Sequence, residues 1–299
     1  MSQENKIAPL VSIVTINYNT CSVTCELLTS ISRNSYANVE VIVVDNASVE
    51  DPTAALLAAY PAVKIIRSTT NRGFAGGNNM GIVEATGEYI FLVNNDTEFT
   101  DGLIEGLLEI FYAHPDAGMV SPKFHYFFHK GIIEYAGYQS VDVFTGRNSM
   151  IGCKEPDQGQ YDRISATNYA HGGGMMTKAA VLKEVGLMPE VYFLYYEEFD
   201  WCEQFKRKGY KIYYQYKSLI YHKESMSTGK NSPLKTYYLT RNRILFMRRN
   251  VALPNRIIFL LYLTLFTIPK NTLQFLLNKE KEHLRAFWKG IMWNLNIVN

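Results

Sequence analysis

The chain has 299 residues, 47% hydrophobic and 19% charged, a globular composition that excludes disordered and fibrous classes. Its net charge of +2 hides a division: from Lys223 onward 13 Lys and Arg stand against three acidic residues, so the end of the chain is basic and the rest acidic. Four cysteines without metal-ligand spacing exclude a disulfide framework and fit a reducing compartment, and the polar stretch Met1 to Ala8 lacks the apolar core of a signal peptide, so a cytoplasmic protein is expected.

In chain order, Val11 to Ile16 reads as a strand closed by Asn17-Tyr18-Asn19, followed by a helix over Cys21 to Ser32. Val39 to Val44 is a second strand ending in Asp45-Asn46-Ala47-Ser48. A helix near Pro52 to Tyr60 leads to a third strand, Val63 to Ile66. Asn71 to Asn79 is a Gly-rich turn before a helix running to Ala85. It is not G-x-G-x-x-G and follows the third strand, so a dinucleotide oxidoreductase is poorly supported. Tyr89 to Val93 is a continuous apolar run, the pattern of a strand buried on both faces of a parallel sheet. Strands alternating with helices predict an α/β protein with a mostly parallel central sheet and helices on both faces.

Ligands of open α/β sheets sit at the carboxyl ends of strands, where Asn94-Asn95-Asp96 stands. Asn-x-Asp offers hard oxygen donors for Mg2+ or Mn2+; the same residues also suit a polar turn. A helix from Asp101 to His114 and a strand over Met119 to Lys123 follow. Lys123 to Asp162 has no clear period and reads as short strands over the active-site side. His171 to Met176 precedes a helix near Lys178 to Val185, stopped by Gly186. Glu197-Glu198-Phe199-Asp200 then opens another helix. Its carboxylates suit the helix dipole, and one of them suits a general base. Lys211 to Tyr214 and Leu219 to His222 read as two further strands; a lone His such as His222 is usually structural. Ile257 to Ile268 is apolar, interrupted at Pro269, and shorter than the roughly 20 residues that cross a bilayer. Its basic and Trp-bearing surroundings suit a segment lying in an anionic membrane interface; packing on the catalytic domain or on a second subunit, as in a homodimer, is the alternative. Cations interleaved with an aliphatic run disfavour nucleic acid.

Taken together, V-S-I-V-T-I-N-Y-N at Val11 to Asn19, V-I-V-V-D-N-A-S at Val41 to Ser48, N-R-G-F-A-G-G-N-N-M-G at Asn71 to Gly81, L-V-N-N-D-T at Leu92 to Thr97 and F-L-Y-Y-E-E-F-D-W-C at Phe193 to Cys202 resemble a family-2 glycosyltransferase of the GT-A fold, in its rhamnosyltransferase-like branch that builds bacterial cell-surface polysaccharide. Tyr237-Tyr238 and Arg241-Asn242 belong to the same resemblance. It implies a catalytic domain over 1–235, divided near 125 into nucleotide-binding and acceptor-binding halves, and a helical, membrane-associating extension over 236–299. Asp45 resembles the reader of a pyrimidine base edge in a dTDP- or UDP-linked donor, with Thr15, Asn17 and Arg72 completing that pocket. Asn94 and Asp96 match the two ends of the family's Asp-x-Asp motif, Asp96 on the metal, and His222 resembles a further metal ligand. Glu198 stands where the base is usually Asp, and Asp200 is the second choice.

The resemblance implies an inverting transfer of a sugar to a hydroxyl of a polyprenyl-diphosphate-linked glycan, at the inner face of the membrane. A catalytically silent sugar-nucleotide-binding scaffold is the alternative, kept open by Asn94 and Glu198 standing where the family usually has Asp. A nucleotidyltransferase is disfavoured, since no basic Gly-rich loop follows the first strand.

Overall fold

Continuous apolar runs become the centre of the sheet. The computed structural model describes residues 8–223 and 232–295; the remainder of the polar N-terminus, part of the basic stretch after Lys223 and the last four residues lie outside the described residues. The first half alternates β1 (Val11–Asn17), α1 (Cys21–Ser32), β2 (Val39–Asp45), α2 (Thr53–Ala59), β3 (Lys64–Arg67), α3 (Gly73–Glu84) and β4 (Tyr89–Val93). β1 pairs in parallel with β2 and β4, and β2 with β3. β4 is buried at all five positions, as its unbroken apolar run requires.

The Gly-rich segment is a helix rather than a turn. α3 begins at Gly73, and a Cβ at Gly81 would stand 2.2 Å from Val14 Cγ1, so the glycine permits close helix-on-sheet packing. Composition reads as a turn here because the residues that bring helix and sheet together have no side chain.

The second half adds β5 (Thr97–Phe99), α4 (Leu103–Ala113), β6 (Ala117–Tyr126), β7 (Ile133–Tyr135), β8 (Ser165–Thr167), β9 (Gly174–Lys178), α5 (Ala179–Val185), α6 (Glu197–Arg207) and β10 (Lys211–His222). The sheet runs β3-β2-β1-β4-β9-β6-β10-β5, with β7 on β6 and β8 on β10. β9 is antiparallel to both β4 and β6, while β6 and β10 are parallel, so β1, β2, β3, β4, β6 and β10 run one way with β9 reversed between them and the short β5, β7 and β8 reversed beside β10 and β6. The two strands expected between Lys211 and His222 are one bulged strand. Its register against β6 shifts between Gln215 and Leu219, where Gln215 and Ser218 turn to donate to the carbonyls of Gly106 and Leu103 in α4.

The C-terminal part is helical: α7 (Pro233–Asn250), α8 (Leu253–Tyr262), α9 (Ile268–Leu277) and α10 (Lys281–Leu295). Ser232 caps α7 by accepting from Lys235 N, with Pro233 in the first turn. α10 lies along α7 through Thr236–His283 and Asn294 Nδ2 to the carbonyl of Arg241. Pro269 does not interrupt its helix. A π-helical turn, Leu263–Thr267, precedes it, relieving the clash and the lost hydrogen bond that proline imposes, and the helix continues from Leu253 to Leu277. By length and composition alone those 25 residues suffice to cross a membrane, and only 17% of the apolar window is buried.

Candidate active site

A cavity of about 450 Å³ opens beyond the carboxyl ends of β1 and β4. Asp96 and His222, 126 positions apart, meet on its wall with Asp96 Oδ1 and His222 Nε2 at 3.1 Å. β5 brings them together. It starts directly after Asp96 and pairs antiparallel with the end of β10, setting Thr97 opposite His222. The other imidazole nitrogen, Nδ1, lies 2.9 Å from both carboxylate oxygens of Glu134 at the centre of β7. Burial alone would lower the imidazole pKa, but the hydrogen bonds to Asp96 and Glu134 outweigh it and hold His222 up at about 10.

A carboxylate behind a histidine is the arrangement that orients a metal-ligating imidazole. Among the described residues no three His, Cys, Asp or Glu form a complete cage. Asp96 and His222 face the cavity with one oxygen and one nitrogen, and once a cation displaces the proton between His222 Nε2 and Asp96 they offer a partial donor set that ligand phosphates and water would complete. Asn94 lines the same cavity, its backbone N–H donating to the carbonyl of Gly173.

The other expected donor-pocket residues are placed differently. Asp45 is 0% exposed, accepting from Asn17 Nδ2 at 2.9 Å and paired with Arg67 Nε at 3.2 Å. Asn17 and Thr15 are equally buried, beneath the cavity and not on its surface, and Thr15 Oγ1 has no hydrogen-bond partner. Arg72 is exposed and does not line the cavity; Lys235 from α7 is a cation that does. Sequence reasoning missed Arg67 and Lys235, and also Asn46, whose side chain accepts from Arg72 N and donates to Asn71 Oδ1 and to the carbonyl of Gly73, fixing the start of α3. Asn46 directly follows Asp45 in the quoted strand-end motif, which was the available signal.

Phe193, Leu194 and Tyr195 form the opposite wall. Phe193, Tyr195 and Tyr196 have φ of 65°, 68° and 73°, a left-handed conformation that disfavours bulky residues. α7 holds them there. Asn242 Nδ2 gathers the carbonyls of Tyr192, Leu194 and Tyr195, and Arg241 Nη2 donates to those of Val191 and Tyr192. The carbonyl of Phe193 in turn presses on Gly73, whose φ of +70° and missing Cβ allow the approach.

Behind Tyr195 lies a second cavity of about 540 Å³, and Glu198 lines it. Its carboxyl lies beside Gly172, whose neighbour Gly173 accepts from the backbone N–H of Asn94 just past β4. Burial pushes the Glu198 carboxyl up to about 7, and Glu197 is raised well above the usual range by burial and by the charge of Glu198. Asp200, the second choice as base, lies elsewhere. It is 0% exposed, pairs with Arg249 Nε at 2.5 Å and Arg207 Nη2 at 3.6 Å, and reaches neither cavity, because the helical period turns it to the opposite side of α6.

The glycosyl transferase family 2 model matches residues 12–185. The chain is 26% identical over 253 residues to the low-salt glycan biosynthesis hexosyltransferase Agl10 of Haloferax volcanii, covering 76% of this chain and 78% of that one. It is 21% identical over 240 residues to the N-acetylglucosaminyl-diphospho-decaprenol L-rhamnosyltransferase of Mycobacterium tuberculosis, covering 73% and 78%. Its fold matches the mannosyltransferase PcManGT of Pyrobaculum calidifontis, solved with GDP-Man and Mn2+, at a TM-score of 0.60 and 17% identity over 98% of this chain and 77% of the other. The sheet and its flanking helices are therefore those of the GT-A fold.

Proposed function

The chain belongs to glycosyl transferase family 2, and on that premise we propose that it is an inverting, divalent-metal-dependent transferase that moves a sugar from a nucleoside diphosphate to a hydroxyl of a lipid-linked glycan. The observation that carries this reading is the convergence of Asp96, His222 and Glu198 on two cavities that share Tyr195. The donor diphosphate occupies the cavity of Asp96 and His222 beside Lys235, and Glu198 faces the acceptor.

Glu198 takes the proton of the acceptor hydroxyl while its oxygen attacks the anomeric carbon. The bond from that carbon to the diphosphate oxygen breaks, and the nucleoside diphosphate leaves with the electron pair. A single displacement inverts the centre and needs one base. Mg2+ or Mn2+ held by Asp96 and His222 would neutralise charge on the departing diphosphate. Lys235 adds a second positive charge there, and Asn94 an amide on the same wall. Reading of the base edge by Asp45 requires the half-exposed Arg67 to swing off it, after which Asn17 holds the carboxylate in place.

A dTDP or UDP donor rests on the motif resemblance, and rhamnose as its sugar on that resemblance together with the mycobacterial relative's name. That same name supports a diphosphate-lipid acceptor for this chain. The exposed apolar residues of Leu253–Leu277, among them Leu261, Leu265, Phe266 and Leu273, would then lie on the cytoplasmic face of the membrane as a peripheral anchor.

The test is thermal denaturation with a panel of nucleotide sugars, with and without Mn2+, followed by a transfer assay. One donor should raise the Tm in the presence of Mn2+. If no nucleotide sugar shifts it, the reading falls; if a donor binds and is never transferred, the silent scaffold replaces it.

A further inference from the structure

Three buried polar atoms without hydrogen-bond partners belong to residues lining the second cavity: Arg243 Nε, Asn148 Nδ2 and Glu198 Oε2. Native proteins leave few such atoms unmatched, and grouping in one cavity points to a ligand that matches them. Arg243 is 5% exposed and has no ion pair among the described residues. Its neighbours on α7 show what a satisfied arginine looks like here. Arg241 donates to three oxygens and lies over Trp293 at 4.3 Å, and Arg249 pairs with Asp200.

A second guanidinium, on the exposed residue Arg147, reaches the same cavity. The turn Asp142 to Arg147 is tied by Asp142 Oδ1, which accepts from Thr145 N and Thr145 Oγ1, and it packs Gly146 against Arg243, so Arg147 lines the same cavity. Burial first, and the nearby charge of Arg147 as well, lower the pKa of Arg243. Neither arginine has an ion pair with a carboxylate among the described residues, and two such guanidiniums repel unless an anion joins them. Asn271, Gln274 and Phe275 complete the wall, and they lie on the helix whose apolar side is exposed, so the arginines sit just inside a surface suited to a bilayer.

We infer that Arg243 and Arg147 form an anion subsite for the phosphoryl group linking the acceptor sugar to its lipid, which directs a hydroxyl of that sugar toward Glu198. This rests on the reading of the second cavity as the acceptor side. Guanidinium forks match phosphate oxygens in pairs, and Asn148 supplies a further donor. The acceptor class is thereby narrowed to glycans carrying a phosphoryl anion next to the reacting sugar.

The test is calorimetric titration of the full chain with inorganic pyrophosphate in EDTA. Wild type should bind. Arg243→Gln and Arg147→Gln should each weaken binding about tenfold or more, with Arg243→Lys recovering part. No binding by wild type, or weakening by Lys235→Ala in the donor cavity but by neither arginine variant, overturns the inference. Should Arg243→Gln fail to fold, Arg147→Gln on its exposed turn gives the reading.

A second arm compares phosphatidylcholine vesicles carrying polyprenyl diphosphate with vesicles carrying phosphatidylglycerol. Arg243→Gln should lose sedimentation with the first and keep it with the second, whereas equal behaviour on both overturns the lipid headgroup as the source. Pyrophosphate binding without any nucleotide-sugar binding sinks the functional reading and leaves this subsite standing; the converse does the reverse.

Discussion

The two cavities differ in how completely the protein satisfies its own polar atoms. Around the first cavity Asp96, His222 and Glu134 form a closed series of contacts, and Asn46 satisfies the backbone around it. Around the second cavity Glu198, Asn148 and Arg243 each keep an unmatched atom. The first is made by strand ends of one sheet, whose register fixes the geometry before any ligand arrives. The second is closed by α7, α9 and α10 against a turn, and its polar groups await an outside partner. Preorganisation belongs to the sheet, and selection of the partner belongs to the helices.

The sharpest way to break that comparison is Glu198→Gln. Transfer should fall by about 10²–10⁴-fold while the donor still binds, read by single-turnover kinetics beside calorimetry. Equal loss of donor affinity would mean that the cavities are one site. The wild-type rate carries a related signature. Burial holds the Glu198 carboxyl at about 7, so it is protonated and idle as a base at lower pH. The rate should therefore rise as pH climbs through about 7, and a flat profile between pH 5.5 and 8.5 would remove Glu198 from the role.

Next in size is Glu134→Gln, which removes the carboxylate behind His222, a group that also lies 3.7 Å from His171 Nε2. Mn2+ affinity should drop about 10–100-fold with pyrophosphate binding at the arginines intact. Simultaneous loss of both would deny the separation of the sites.

Arg249→Ala tests the structural role of Asp200. It leaves a buried carboxylate with the weaker Arg207 contact, so urea denaturation should show a loss of about 1–3 kcal/mol with little effect on the donor KM. Unchanged stability would reopen Asp200 as a functional group. The smallest effect is expected from Leu265→Ser with Phe266→Ser, both exposed. Vesicle sedimentation should weaken about three- to tenfold, and a change from dimer to monomer instead would assign that face to a second copy.

Much of the first half of the chain was legible because parallel strands buried on both faces must be uninterrupted apolar runs; α1 and β4 were read at their observed limits. β5, β7 and β9 were not, since three residues carry too little period to announce a strand and the five of β9, Gly-Met-Met-Thr-Lys, hold no run of β-branched or aromatic residues. Glu134 lies in the stretch without period, so the group orienting His222 was invisible. Arg243 was one basic residue among many until α7 placed it without a counter-ion.

By itself the sequence determined the alternation of strand and helix, the family, and the acidic and amide side chains at strand ends, because local burial and short motifs are written in consecutive residues. Only the tertiary structure decided that β5 sets Asp96 against His222, that Asp200 turns from the cavity Glu198 enters, and that Arg147 and Arg243 line one cavity. Those facts depend on register, helical phase and desolvation, which arise when segments distant in the chain are packed together.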